Sequence, residues 1–360
     1  VAAGALERTH SFDVRIEGEQ APIDPDGVLA VPGGAASADL VVVNDDDLTY
    51  AISRLDERST DVALTYVGSI DVALTRAVIW ASLWNAVRDG LLDPRRFIVA
   101  VLTAVPSETE PAIRDRLLLF IAEAISSFLP GDLRADVHDQ VLATTIRLSR
   151  ETQDADAWRS YTRAFIAEFA ARGGDEYEAT VRSFAASDNP DIAWRARRAL
   201  AARGLVDAGA IEAWRSADGS GEAARMSVEA LASLPIEEAR RHAWESVYSE
   251  TLSNDFLTAT LAGLQASSWE GEPGIEAAVD RLRSYWESHT IGMALRYANG
   301  VLAYGLDSDR DGSVSRSVGL LRSWLDTNSD APAQLRRIVI EHLDAFERDE
   351  RVQRRWKQDQ

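Results

Sequence analysis

The chain has 360 residues, with 38 basic and 58 acidic side chains and a formal net charge of −20. Its length exceeds the size at which one hydrophobic core usually serves a whole chain, so two units, or a small domain followed by an elongated array, are predicted. The charge argues against nucleic acid as a partner, because phosphates require a basic surface. It suits cationic or amine-bearing ligands, or solubility alone.

The chain has no cysteine, which excludes disulfides and thiolate metal sites and permits a reducing, cytoplasmic location. The longest apolar runs are far shorter than a membrane span, so no membrane partner is expected. The chain begins with Val1 rather than methionine, and nothing near it resembles a signal peptide. This start is expected of a piece of a longer protein.

The first fifty residues alternate in the manner of β-strands. Phe12, Val14 and Ile16 alternate with charged residues, which is the period of a half-buried strand. A turn-forming stretch leads to two further apolar runs at residues 28–31 and 40–43. Three or four short strands are not stable alone. Residues 1–50 are therefore predicted to be a small β-sandwich or the remnant of one.

From about Asp56 onward the apolar period changes to that of an α-helix. Asp93-Pro94 and Asn189-Pro190 are typical of helix starts, and about fifteen helices with short linkers are predicted. Pairs of helices recur roughly every 30 to 40 residues, the range of helical repeat proteins. The sequence therefore predicts a mostly α fold, in which residues 51–360 form a superhelix of stacked antiparallel helix pairs, similar to HEAT or armadillo repeats.

Two acidic segments are candidate metal sites. Asp45, Asp46 and Asp47 are consecutive, so their side chains point alternately to opposite faces, and a turn that joins strands to helices is favoured over a shared ion. Residues 307–315 match a calcium loop at Asp307, Asp309, Asp311, Gly312 and Val314, but Val318 stands where the final acidic ligand is required. Calcium binding and an interhelix turn with capping carboxylates both remain open for this loop.

No catalytic motif is recognisable in the sequence. The five histidines lie far apart, and none belongs to a His-Glu-x-x-His pair. Phosphate loops, dinucleotide fingerprints and nucleophile elbows are also absent from the sequence. Trp80 and Trp84 are four residues apart on one predicted helix, with Arg76 and Arg88 four residues to either side. This spacing places them close to one face of the helix. Core packing is favoured for these tryptophans over an aromatic ligand platform.

Several segments, in the same order along the chain, resemble the helical, ERAP1-like C-terminal half of aminopeptidase N of the actinobacterial type, in the M1 zinc metallopeptidase family. The resemblance runs from about Asp39 to the end of the chain. The segments that carry it are Asn44-Asp45-Asp46-Asp47-Leu48-Thr49-Tyr50, Leu74-x-Arg76-Ala77-x-x-Trp80-x-x-x-Trp84-x-x-x-Arg88-Asp89, and Leu335-Arg336-Arg337-x-Val339-x-Glu341.

The resemblance implies a parent enzyme whose zinc and catalytic residues lie outside this chain. No catalytic or metal-binding residue and no cofactor is therefore expected here, and the partners would be the catalytic domain of the same polypeptide and peptide substrates. The helical domain would cap the active site and shape its cavity. Arg296 resembles a position that faces the peptide's C-terminal side, where it could pair with a carboxylate. A salt bridge to a neighbouring helix is the alternative.

Two functions follow from these features. In the first, the chain is the non-catalytic C-terminal half of an aminopeptidase, and alone it is inactive. In the second, it is a stand-alone helical scaffold for binding a partner protein, which would require polar caps at both ends of the array.

Overall fold

The computed structural model describes residues 13–16, 19–22, 39–48, 51–249, 252–267, 275–304 and 313–358. The chain divides into two compact units, Val1–Ala124 and Ile125–Gln360. The prediction of a mostly helical protein is confirmed, since 17 α-helices lie within the described residues. None of the helices in those ranges is both long and apolar enough to cross a membrane.

A three-stranded antiparallel sheet lies in the first unit. The strands are β1 (Asp13–Ile16), β2 (Glu19–Pro22) and β3 (Val41–Val43), and β1 is in the centre of the order β2-β1-β3. Val14 pairs with Ala21 on one side and with Val43 on the other. The first and third strands were predicted, whereas β2 was not. The strand predicted at residues 28–31 lies outside the described residues.

The aspartate triplet after β3 forms a turn, as predicted. The backbone N–H of Asp47 donates to the carbonyl oxygen of Asn44 at 2.9 Å. Asn44 and Asp47 have φ values of 59° and 51°, the left-handed region in which asparagine and aspartate are tolerated. The first helix is capped by Asp56, whose carboxylate accepts from the backbone N–H of Ser59 at 2.8 Å.

Four helices follow in the first unit: α1 (Glu57–Tyr66), α2 (Ala73–Arg88), α3 (Pro94–Ala104) and α4 (Pro111–Glu123). Trp80 and Trp84 are 2% and 5% exposed. The ring of Trp84 stacks on Phe120 with centroids 4.2 Å apart, and Trp80 meets Phe97 edge-on at 5.9 Å. The prediction that these tryptophans are core residues is confirmed.

A buried ion pair joins the start of α2 to the turn after α3. Arg76 donates two hydrogen bonds to the Glu108 carboxylate, from Nε at 2.9 Å and from Nη2 at 2.6 Å. Their side chains are only 7% and 2% exposed. Burial raises the pKa of Glu108, but the hydrogen bonds from Arg76 and from the Glu110 N–H outweigh it, so the pKa lies below its ordinary value.

The second unit consists of helices, five of which begin at a residue whose side chain caps the first turn. Capping residues whose oxygens accept from a backbone N–H are Asp154, Asn189, Asp207, Ser220 and Ser253. The helices are α5 (Gly131–Glu151), α6 (Ala155–Arg172), α7 (Asp175–Ala185), α8 (Pro190–Ala202), α9 (Ala208–Asp218), α10 (Gly221–Ala232), α11 (Glu237–Val247), α12 (Asn254–Ala266), α13 (Ile275–Asp280), α14 (Leu282–Ser288), α15 (Ile291–Tyr304), α16 (Ser313–Thr327) and α17 (Ala333–Gln358).

Successive helices of the second unit pack in pairs. The pairs are α5 with α6, α7 with α8, α9 with α10, α11 with α12, and α16 with α17, while α13 and α14 both contact α15. The second member of each pair also contacts the second member of the next, which gives a continuous row α6, α8, α10, α12, α15 and α17. We call these helices the inner row.

Glycines allow close contacts within the inner row. A Cβ atom at Gly263 of α12 would lie 2.3 Å from the carbonyl oxygen of Glu229 and 2.6 Å from the Cβ of Ala232, both on α10. At Gly300 of α15, it would lie 2.7 Å from Leu261 of α12. All three distances are shorter than real Cβ contacts. At Gly263 the nearest neighbour is a backbone atom, so only glycine permits this separation of α10 and α12, whereas at Gly300 the end of the Leu261 side chain would have to move.

The last helix contacts the residues that precede the first helix of its own unit. The amide nitrogen of Gln353 on α17 donates to the carbonyl oxygen of Ser127 at 2.8 Å. Nearby on α17, Asp349 and Val352 are buried, at 6% and 3% exposure. This hydrogen bond links the last helix to the segment just before α5.

Candidate functional site

Arg296, the residue predicted to bind substrate, lies on the exposed side of α15 in the inner row. Its Nη1 donates to the carbonyl oxygen of Gly292, one turn earlier, at 3.0 Å. Gly292 also faces the side chain of Asn254 at the start of α12. The alternative, a salt bridge to another helix, is not formed within the described ranges. A role of Arg296 in binding stays a prediction.

A groove of about 670 Å³ lies between α8 and α10 of the same inner row, and we call it the α8–α10 groove. Its walls are highly charged, with a few apolar surfaces. The lining residues on α8 are Pro190, Asp191, Trp194, Arg195 and Arg198, and those on or just before α10 are Asp218, Ser220, Glu222, Arg225, Met226 and Glu229. The volume is in the range of natural ligand sites.

Ion pairs tie the walls of the groove together. The carboxylate of Glu229 on α10 accepts from Arg198 on α8 at 2.6 Å. Asp191 at the start of α8 accepts from two arginines, Arg195 on its own helix and Arg163 on α6, both at 2.8 Å. These contacts link α6, α8 and α10, and sequence analysis did not predict them.

The Asp191 carboxylate should make stability depend on pH. Burial raises its pKa, but hydrogen bonds from Arg163 and Arg195 outweigh burial and hold the pKa below its ordinary value. Its stabilising contribution is therefore present above the pKa of about 3.9 in the unfolded chain and is lost as pH falls through the lower folded-state pKa. Because the group is 36% exposed, we expect Asp191→Asn to cost less than about 1 kcal/mol at pH 7.

Urea unfolding of the parent chain and of this variant at several pH values measures that difference. The two free energies of unfolding should converge as pH falls below about 4. A difference that stays constant down to acid pH would contradict the assignment.

Trp194 is held rigidly at the edge of the groove. The guanidinium of Arg197 lies 4.8 Å from the Trp194 ring centroid and 5.3 Å from that of Trp214. On its other edge, Nε1 of Trp194 donates to Asp218 at 3.0 Å. Trp194 is 2% exposed. The i, i+3 spacing of Trp194 and Arg197 is the sequence signal that could have indicated this stack.

The described residues contain no group of histidines and carboxylates arranged to hold a metal ion. His138 contacts the buried Glu168 through Nδ1 at 2.6 Å, and Nε2 of His342 lies 3.3 Å from Asn299. Burial lowers the pKa of His342. The calcium-like motif with Asp307, Asp309 and Asp311 lies outside the described residues, so its two interpretations stay open.

Comparison with known proteins identifies the family. The model of the ERAP1-like C-terminal domain matches residues 40–348. The chain belongs to this family. It is also 29% identical over 354 residues to Aminopeptidase N of Streptomyces lividans. That alignment covers 94% of this chain but 40% of the relative, so this ERAP1-like domain spans less than half the length of the protein it matches.

Proposed function

We propose that this ERAP1-like domain is the non-catalytic C-terminal part of an aminopeptidase N, and that it covers the active site and limits which peptides enter. Zinc and the catalytic residues would lie in the part of the enzyme that precedes it, in the cytoplasm. The observation that carries this proposal is the ordered match to Aminopeptidase N over nearly the whole chain. Within the proposal, the helix pairs form a HEAT-like superhelix over residues 51–360, and the strands of residues 1–50 belong to a small β-sandwich.

The distribution of exposed apolar residues supports a partner surface on the first unit. Among the large apolar side chains of the described residues, the four most exposed are Ile52 at 70%, Leu48 at 66%, Tyr66 at 61% and Leu119 at 60%, and all belong to that unit. A contiguous exposed apolar patch commonly marks an interaction surface, whereas apolar side chains exposed singly are ordinary. We propose that these four side chains contact the catalytic part.

The hydrogen bond between α17 and the segment before α5 counts against the alternative of a free scaffold. An open repeat array exposes both terminal repeats and requires a polar cap on each. Here Gln353 on α17 donates a hydrogen bond to the carbonyl oxygen of Ser127, so part of the last helix contacts its own unit rather than solvent. We therefore favour the peptidase role.

Hydrolysis of alanyl- and leucyl-anilides and of longer peptides tests the proposal. This chain alone should release no amino acid. Mixed with the N-terminal part of an aminopeptidase N, it should bind that part and reduce cleavage of long or folded chains relative to short peptides. Ile52→Ser and Leu119→Ser should weaken the association, whereas Ile340→Ser, a 50% exposed residue of the second unit, should not. A chain that neither associates nor changes the length preference would refute the proposal.

A further inference from the structure

A second, largely apolar pocket lies between α10, α11 and α12, and we call it the α11 pocket. Its volume of about 560 Å³ is in the range of natural small-molecule sites. The larger apolar side chains that line it are Val228, Leu231, Ile236, Leu252 and Phe256. Ile236 is 48% exposed, so part of this apolar surface is accessible from solvent. The pocket therefore suits a ligand with an apolar body.

Two hydroxyl groups that line the α11 pocket already use their protons within the protein. Ser246 Oγ donates to the carbonyl oxygen of Ala243 at 2.8 Å, and Thr260 Oγ1 donates to that of Phe256 at 2.8 Å. A hydroxyl has one proton and two acceptor lone pairs, so each of these oxygens can accept from a ligand but has no proton left to donate. The hydroxyls therefore favour a ligand that carries hydrogen-bond donors.

The charge at the α11 pocket is negative. Glu238 lines the pocket from the first turn of α11, where it is exposed. Its carboxylate has no ion-pair or hydrogen-bond partner among the described residues. None of the described residues that line the pocket is a lysine or an arginine. His242, one turn further along α11, also lines it, and a neutral imidazole adds one acceptor and one donor. The charge favours a cationic ligand over an anionic one.

We propose that the α11 pocket binds a small amphipathic amine, with an aromatic or aliphatic body and a protonated amino group. The apolar body packs against Leu231 and Phe256. The ammonium group donates to Glu238 and to the hydroxyl oxygens of Ser246 and Thr260, in charge-assisted hydrogen bonds that are stronger than neutral ones. This site lies within one helical unit and does not depend on the proposed function.

The position of Glu238 also has a structural explanation, because acidic side chains stabilise the first turn of a helix. Glu237 lies in the same turn, is exposed, and does not line the pocket. The helix dipole acts on both carboxylates in the same way, whereas binding of an amine depends on Glu238. Replacing each glutamate in turn therefore separates the two explanations.

A ligand-observed NMR titration of the complete chain tests the site. The probes are 2-phenylethylamine, its neutral analogue 2-phenylethanol, its anionic analogue 3-phenylpropionate, and ethylamine, which lacks the apolar body. Glu238→Gln is the main variant, and because the residue is exposed the chain should fold normally. Glu237→Gln is the matched control, with the same loss of charge one residue away. Phe256→Ala removes apolar surface from the pocket, and circular dichroism checks that each variant is folded.

We expect 2-phenylethylamine to bind more tightly than each of the other three probes. Glu238→Gln should lower its affinity by about threefold to fivefold, the range for an exposed charge pair, and should leave that of 2-phenylethanol unchanged. Glu237→Gln should bind like the parent chain, and Phe256→Ala should weaken both phenyl probes. Absence of amine binding, equal affinity for the amine and the alcohol, or equal effects of the two glutamate variants overturns the proposal. These results do not depend on whether the chain associates with a catalytic part.

Discussion

Replacing Arg76 by methionine is expected to destabilise the first unit by about 3 to 5 kcal/mol. The change leaves the Glu108 carboxylate buried without its cationic partner, and it also removes the hydrogen bonds from Arg76 Nη1 to the carbonyl oxygens of Ile70 and Asp71, at 2.8 and 3.0 Å. Urea unfolding followed by circular dichroism and by tryptophan fluorescence measures the loss, because Trp80 and Trp84 lie in the same unit.

The matched control is an exposed ion pair of the same unit. Arg96 and Asp61 are 2.7 Å apart, with side chains 55% and 59% exposed. Arg96→Met should cost less than about 1 kcal/mol, because water solvates both charges when they separate. A double-mutant cycle over Arg76 and Glu108 should give a coupling of about 2 kcal/mol. A coupling as small as that of the exposed pair would show that the buried pair is not the cause.

Replacing Gly263 by alanine is expected to destabilise the second unit by about 3 kcal/mol, although alanine favours helices more than glycine does. The new methyl group would overlap the carbonyl oxygen of Glu229, a backbone atom that cannot rotate away. Relief requires α12 to move from α10, which opens the contact through which these helices of the inner row pack.

Gly319→Ala is the control for Gly263→Ala. Gly319 lies on α16, and a Cβ atom there would have no neighbour within 4 Å. This substitution should raise stability by about 0.5 to 1 kcal/mol, because it reduces the backbone entropy of the unfolded chain without a steric cost. Equal effects of the two substitutions, measured by chemical unfolding, would contradict the steric argument.

The elements that sequence analysis predicted are those with a strong local signal. The change of period near Asp56 indicated helices, and Asp93 and Asn189 do cap α3 and α8. Strand β2 was missed because its four residues, Glu19–Pro22, contain one strongly polar pair and end in proline, which is atypical of strands. The break at Arg281 between α13 and α14 was not predicted.

The candidate site was less accessible to sequence analysis than the fold was. Arg296 could be named only through a resemblance. The groove depends on contacts between residues up to 31 positions apart, such as Arg198 with Glu229. The apolar period of a single helix does not predict contacts of this kind. Gly263 is a similar case. In the sequence, a glycine within a helical pattern indicates only a lower helix propensity. The role of Gly263 depends on its contact with the neighbouring helix, which the sequence does not show.

The hydrogen bond between Gln353 and Ser127 has a consequence for how this unit can evolve. In an open stack of repeats, each repeat contributes its own stability and that of one interface, so a repeat can be gained or lost at little cost to the others. When the last helix must reach the segment before the first helix, the number of helix pairs is constrained by that contact. An added pair would separate the two ends, and a deleted pair would make them collide. Change in this domain is therefore expected within loops and surfaces, at a fixed number of helices.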